Sequence, residues 1–263
     1  YVEGLPEEFY KTLGTVCSDM PRLRSLRVCD NDEDTGGLAP FFRSLWRRTQ
    51  LQPGLVCTLR EVYWSGDGKA NHRPSINADD APSPTTNQER SAWEWVQDLS
   101  NILRSQRLPY LQVLHLTSCG LTDIELDLLG PALWRQRNLL SLGLRNNAGL
   151  TAPGLVRWLC GPEILQQPGS PDPLGLQSLR RLELEGTGAD STVLICLASE
   201  AVKSLPSLYA VGHTIQYATL MDIPTEDYFR FARVCTDAFE NRRDYAAQIV
   251  KLVDRDFYDF NGD

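Results

Sequence analysis

Three stretches share one spacing: Leu111-x-x-Leu114-x-Leu116-x-x-Cys119-x-Leu121, Leu139-x-x-Leu142-x-Leu144-x-x-Asn147 with Leu150 one place late, and Leu179-x-x-Leu182-x-Leu184-x-x-Thr187-x-Ala189. The first two begin 28 residues apart and the last two 40. The longer interval holds Gly161-Pro162 and Pro168-Gly-Ser-Pro-Asp-Pro173, so 161–175 reads as a loop inserted into one unit. Two weaker copies lie upstream, Leu23-x-x-Leu26-x-Val28-x-x-Asn31 and Leu59-x-x-Val62-x-Trp64-x-x-Asp67. A degenerate one, Leu208-x-x-Val211-x-His213, lies downstream. Of the 39 leucines, 15 fall between residues 101 and 150, a clustering expected of a repeat.

The spacing has a physical reading. In L-x-x-L-x-L the last two leucines alternate as one short strand requires, sending two side chains to a core. Asn or Cys three places later can hydrogen-bond the backbone of the turn that leaves the strand. Each strand is then followed by apolar residues at helical period: Ala92, Val96, Leu99 and Leu103; Leu126, Leu129 and Leu133; Leu194, Leu197, Ala201 and Leu205. Thr86-x-x-Glu89 and Thr122-x-x-Glu125 are capping boxes for two of these helices. Pro131 predicts that the helix carrying Leu129 is kinked or starts late.

Over residues 20–215 this pattern resembles the leucine-rich repeat family, most closely its ribonuclease-inhibitor-like class, where strand and helix alternate in units of about 28 residues. The resemblance implies an α/β solenoid, with a curved parallel sheet inside and helices outside. Intervals of 40 and 52 residues and His213 at a core position depart from the family pattern. The resemblance divides the chain into a helical N-terminal cap (1–22, with a first helix over 5–19), repeats over 23–215, and a C-terminal helical cap or tail (216–263). Residues 67–88, polar and rich in Asn, Asp, Pro, Ser and Thr, read as a flexible insertion. Residues 225–258 lack Pro and Gly and carry two apolar stripes, as expected of helices covering the open end of a solenoid.

The composition narrows the function. With 263 residues, 42% hydrophobic and 23% charged, the chain is long enough for a buried core. A net charge of −8 removes the usual drive for non-specific nucleic-acid or anionic-membrane binding. No apolar run is long enough to cross a bilayer. The seven cysteines are odd in number and scattered without a CxxC pair, and no Asn-x-Ser/Thr sequon occurs; an intracellular, reducing location, cytoplasmic or nuclear, is expected. Tyr1 opens the chain without a basic-then-apolar leader, which reads as a fragment of a longer protein.

The motifs of chemistry are missing. His72, His115 and His213 are far apart without metal-ligand spacing, and neither G-x-S-x-G nor a complete P-loop is present. Asp30, Asp32 and Asp34 mimic the start of a calcium loop, but Thr35 replaces its glycine and Phe41 its bidentate glutamate. Cys119 fills the turn position, and nothing basic beside Cys29 or Cys196 points to a reactive thiolate. Arg43, Trp46, Arg47 and Arg48 read as the solvated face of a helix. No cofactor and no metal are expected.

What remains is a surface. Residues between the core leucines should line the concave face: Ser25, Arg27, Glu61, Tyr63, Val113, His115, Thr117, Ser141, Gly143, Arg145, Arg181, Glu183 and Glu185. Tyr and Arg are favoured anchors in protein interfaces, so Arg27, Glu61, Tyr63, His115, Arg145, Arg181, Glu183 and Glu185 are the candidate partner-binding residues. Glu183 and Glu185 are expected to select a basic segment, Arg27 and Arg145 acidic groups. The expected function is a non-enzymatic protein–protein interaction module or scaffold, a subunit of a complex. Two alternatives share the repeat class: a ubiquitin-ligase substrate receptor whose F-box lies outside these residues, and a GTPase-activating protein resembling the Ran activator, with Arg27 or Arg145 taking part.

Overall fold

The computed structural model describes residues 5–29, 37–52, 54–66, 87–165, 176–190, 192–193, 196–197, 205, 208 and 210–212. The Asp30–Asp34 loop, the body of the 67–88 insertion, Thr86, His72, His213 and the 216–263 tail lie outside them.

Strands and helices alternate: α1 (Glu7–Asp19), β1 (Ser25–Cys29), α2 (Leu38–Leu51), β2 (Glu61–Ser65), α3 (Asn87–Arg104), β3 (Val113–Thr117), α4 (Asp123–Leu133), β4 (Ser141–Gly143), α5 (Ala152–Leu165), β5 (Arg181–Glu183) and β6 (Ala210–Gly212). The six strands form one parallel sheet in chain order. The helices pack each on the next in the same order. The protein is therefore α/β, with a parallel sheet whose strands alternate with helices.

Register follows the leucine spacing. Leu26, Val62, Leu114, Leu142, Leu182 and Val211 stand opposite one another across the sheet. Leu111, Leu114, Leu116, Leu139, Leu142, Leu144, Leu179, Leu182 and Leu184 are all buried in one continuous core with the apolar faces of the helices. Strands β2 and β3 alternate buried and half-buried residues, as one-sided packing of a period-two chain demands. At the β1–β2 end the core is aromatic. Trp64 sits 5.9, 5.3 and 6.4 Å from the rings of Tyr10, Phe41 and Phe42, and Phe42 stacks on Trp95.

The turns leaving the strands repeat as well. Ser118, Asn146 and Gly186 each lie two places after the last core leucine of a strand, and each has a positive φ. Next comes the residue that bonds the turn. Asn147 is fully buried; its Oδ1 accepts the Cys119 and Leu121 N–H groups and its Nδ2 donates to the Leu116 and Leu144 carbonyls. Cys119 and Thr187, at the same place in their units, donate to the Thr117 and Leu184 carbonyls.

Thr122 caps α4 through the reciprocal box with Glu125. Two sequence expectations change. Pro131 lies inside α4, which starts directly after its cap at Asp123 rather than late. Gly161 and Pro162, read as the start of an inserted loop, belong to α5, where Gly161 lies against the Trp134 ring.

Candidate functional site

The sheet face opposite the core carries the residues singled out from sequence, and register decides which of them meet. Arg27, Tyr63, His115, Gly143 and Glu183 are successive partners in a single row across β1 to β5. The Arg27 guanidinium lies 4.4 Å from the Tyr63 ring centroid, a cation–π contact. The Tyr63 ring meets His115 edge-on at 4.9 Å. Gly143 is what allows the next step. A Cβ there would come within 2.7 Å of the His115 ring, so only glycine leaves room for the imidazole to lean across β4 towards Glu183. Its Nδ1 comes to 3.7 Å from Glu183 Oε2. Its Nε2 pairs with Ser141 Oγ at 2.8 Å.

Glu183 is 4% exposed. A buried carboxylate requires partners, and it has three cationic or imidazole neighbours. Arg181 Nε lies 2.7 Å from Oε1, Arg145 Nη1 3.9 Å from Oε2, and His115 on its other side. Beyond the strand ends the backbone ladder continues, Asn146 N–H donating to Glu185 O, which keeps the two turns side by side. There Arg145 Nε reaches Glu185 Oε2 at 3.4 Å. Burial pushes the His115 imidazole below its usual range; Glu183 opposes that shift, Arg181 and Arg145 reinforce it, and Glu185 opposes it. His115 is therefore neutral at pH 7, and accepts or donates at Ser141 according to its tautomer.

Seven of the eight candidate residues thus form one connected set: Arg27, Tyr63, His115, Arg145, Arg181, Glu183 and Glu185. Glu61 stands apart, accepting from Ser25 Oγ at 2.9 Å in the neighbouring row. Ser141 and Gly143 were read as face residues but not as site residues. Their importance shows only when register sets one diagonal to His115 and the other opposite it. Glu183 also differs from expectation. It is buried and paired with Arg181 and Arg145 rather than exposed. Arg27 on Tyr63 and Arg145 between Glu183 and Glu185 are both engaged within the face.

Elsewhere the charged side chains hold helices together. Arg48 pairs with both carboxylate oxygens of Asp19 at 3.0 Å, Arg43 with Glu94, and Arg157 with Asp127. Trp46 packs partly buried on the core. The Trp46–Arg48 spot is thus part of the packing between α1, α2 and α3. Among the described residues no cluster of His, Cys, Asp and Glu could hold a metal ion, and no helix is long and apolar enough to cross a membrane. No protein-family model matches the chain, and no curated protein matches it.

Proposed function

We propose that the chain is a leucine-rich-repeat solenoid of the ribonuclease-inhibitor-like class that works inside the cell as a protein–protein interaction module, binding its partner on the concave sheet face and performing no catalysis of its own. The solenoid reading is supported by six strands in chain order, by the shared register of L-x-x-L-x-L, and by the left-handed residue that recurs at Ser118, Asn146 and Gly186. In that reading α1 belongs to the N-terminal cap, and residues 216–263, outside the described residues, are a C-terminal cap or tail. The scattered cysteines support the intracellular placement.

One observation carries the binding reading: the row Arg27–Tyr63–His115–Glu183, continued by Arg145 and Arg181, is pre-ordered by internal contacts. Side chains already held in place lose little freedom when a partner arrives, so their buried area converts efficiently into affinity. The partner meets the Tyr63 ring, the Arg27, Arg145 and Arg181 guanidinium groups and Glu185, with Glu183 fixed beneath them. Such a surface suits a polar, mixed-charge partner with acidic groups for the arginines.

The test begins with partners recovered by affinity purification and identified by mass spectrometry. Binding is then compared for wild type, for Tyr63→Ala with Arg145→Glu, and for a deletion of 67–88. Loss in the double variant with retention in the deletion supports the face. Wild-type binding by the double variant, with loss in the deletion, transfers the site to the insertion.

A further inference from the structure

Cys160, in the second half of α5, and Cys196, in the helical turn after β5, lie with their sulfurs 3.4 Å apart. Neither is in a disulfide. They are 36 residues apart in sequence. A disulfide needs its sulfurs about 2 Å apart, so closing the pair takes about 1.4 Å of approach. Their surroundings differ. Cys160 is half-buried, whereas Cys196 is 5% exposed. That asymmetry is the arrangement of an attacking and a resolving thiol. Cys17 and Cys57, by contrast, are both buried, and the Cys57 thiol is turned to the Cys17 carbonyl.

We propose that Cys160 and Cys196 form a reversible dithiol–disulfide couple, oxidised by hydroperoxides and reset by small thiols. In the first step the Cys160 thiolate attacks one oxygen of hydrogen peroxide. The O–O bond breaks, a sulfenic acid forms on Cys160, and the other oxygen leaves as water after taking a proton. The Cys196 sulfur then attacks the Cys160 sulfur. The S–O bond breaks, and the departing hydroxide takes the Cys196 proton as a second water. The two sulfurs lose two electrons and the peroxide gains them. Reduction by dithiothreitol reverses the exchange. The bond staples α5 to the helical turn of the next unit, at a site separate from the sheet face.

The experiment uses the full chain, reduced, desalted and treated with a small excess of hydrogen peroxide. Trypsin separates the two cysteines into peptides 158–180 and 182–203. The expected result is a cross-link between these two peptides and two fewer thiols titratable in denaturant. The melting midpoint should rise by roughly 5–10 °C, as expected for a loop of this size in a chain of this length. Dithiothreitol should reverse all three changes. Cys160→Ser and Cys196→Ser should each remove the cross-link and the rise; since Cys160 is half-exposed, its variant folds and serves as the main control. Over-oxidation of Cys160 without a cross-link, a cross-link to Cys29 in equal yield, or the same rise in Cys160→Ser would overturn the proposal.

Discussion

The side-chain oxygen of Asn147 accepts the backbone N–H of Cys119 at 3.0 Å, from the turn that leaves the preceding strand. The same oxygen accepts from Leu121, and the amide nitrogen donates to carbonyls of both units. One buried amide thereby satisfies turn groups that the sheet ladder no longer reaches. Replacing it by alanine removes all four of these hydrogen bonds from a fully buried site. At about 1–3 kcal/mol for each unsatisfied group, Asn147→Ala should destabilise the fold by roughly 3 kcal/mol or more. Urea unfolding followed by circular dichroism measures this. A loss below about 1 kcal/mol would show that water replaces the amide.

His115 makes stability depend on pH. Burial lowers its pKa in the folded state, so the unfolded chain takes up a proton more readily than the native one. Above the ordinary histidine pKa of about 6.5 both states are neutral at this group and the full stability is present. As the pH falls through that value towards the lower folded pKa, stability is lost. The charges facing the ring are Glu183 and Glu185, which soften the effect, and Arg181 and Arg145, which sharpen it. Melting midpoints between pH 7.5 and 5 should fall for wild type and fall less steeply for His115→Gln. Parallel slopes would remove His115 as the cause.

The strands and their register were legible in the sequence because each core position is apolar in the first five copies, with only His213 departing in the sixth, and period-two alternation leaves little choice of face. Leu111–Leu121 alone predicts β3 and the turn residue after it. Candidate residues on the face were legible for the same reason, by subtraction from the core. Their connections were not. His115 meets Ser141 on a diagonal and Glu183 across an intervening strand, and both meetings depend on the missing side chain of Gly143. Spacing along one chain carries no information about the neighbour two strands away. The burial of Glu183 was hidden too, since a glutamate in a solvent-facing column reads as exposed until Arg181 and Arg145 are seen to neutralise it. The extension of α5 through Gly161 and Pro162 escaped because both residues ordinarily end helices.

Thiol reactivity should follow burial. Cys29 is exposed at the end of β1. Burial pushes the Cys17 thiol up to about 12, with Cys57 adding to the shift, and burial raises Cys57 as well. The thiolate is the nucleophile, so Cys17 and Cys57 should resist alkylation in the native state. Brief iodoacetamide treatment at pH 8 with peptide mapping should modify Cys29 first and leave Cys17 and Cys57 intact until denaturant is added. Early labelling of Cys17 would mean that α1 opens from the core on the time scale of the reaction.

Ser141, His115 and Glu183 are the residue types of a hydrolytic triad, and Ser141 Oγ lies 2.8 Å from an imidazole that burial keeps neutral. Two features set the arrangement apart from a working nucleophile. His115 Nδ1 stands 3.7 Å from Glu183, beyond hydrogen-bond reach, and that carboxylate is already committed to Arg181 and Arg145. The Ser141 N–H donates to Gln112 O within the sheet, so it is not available to a developing oxyanion. In the binding reading proposed above, the hydroxyl holds the ring in place. An alkyl phosphonofluoridate should leave Ser141 unlabelled, and p-nitrophenyl acetate should be hydrolysed no faster by wild type than by Ser141→Ala. Stoichiometric labelling of Ser141, abolished by His115→Gln, would sink the non-catalytic reading and make this face an esterase site.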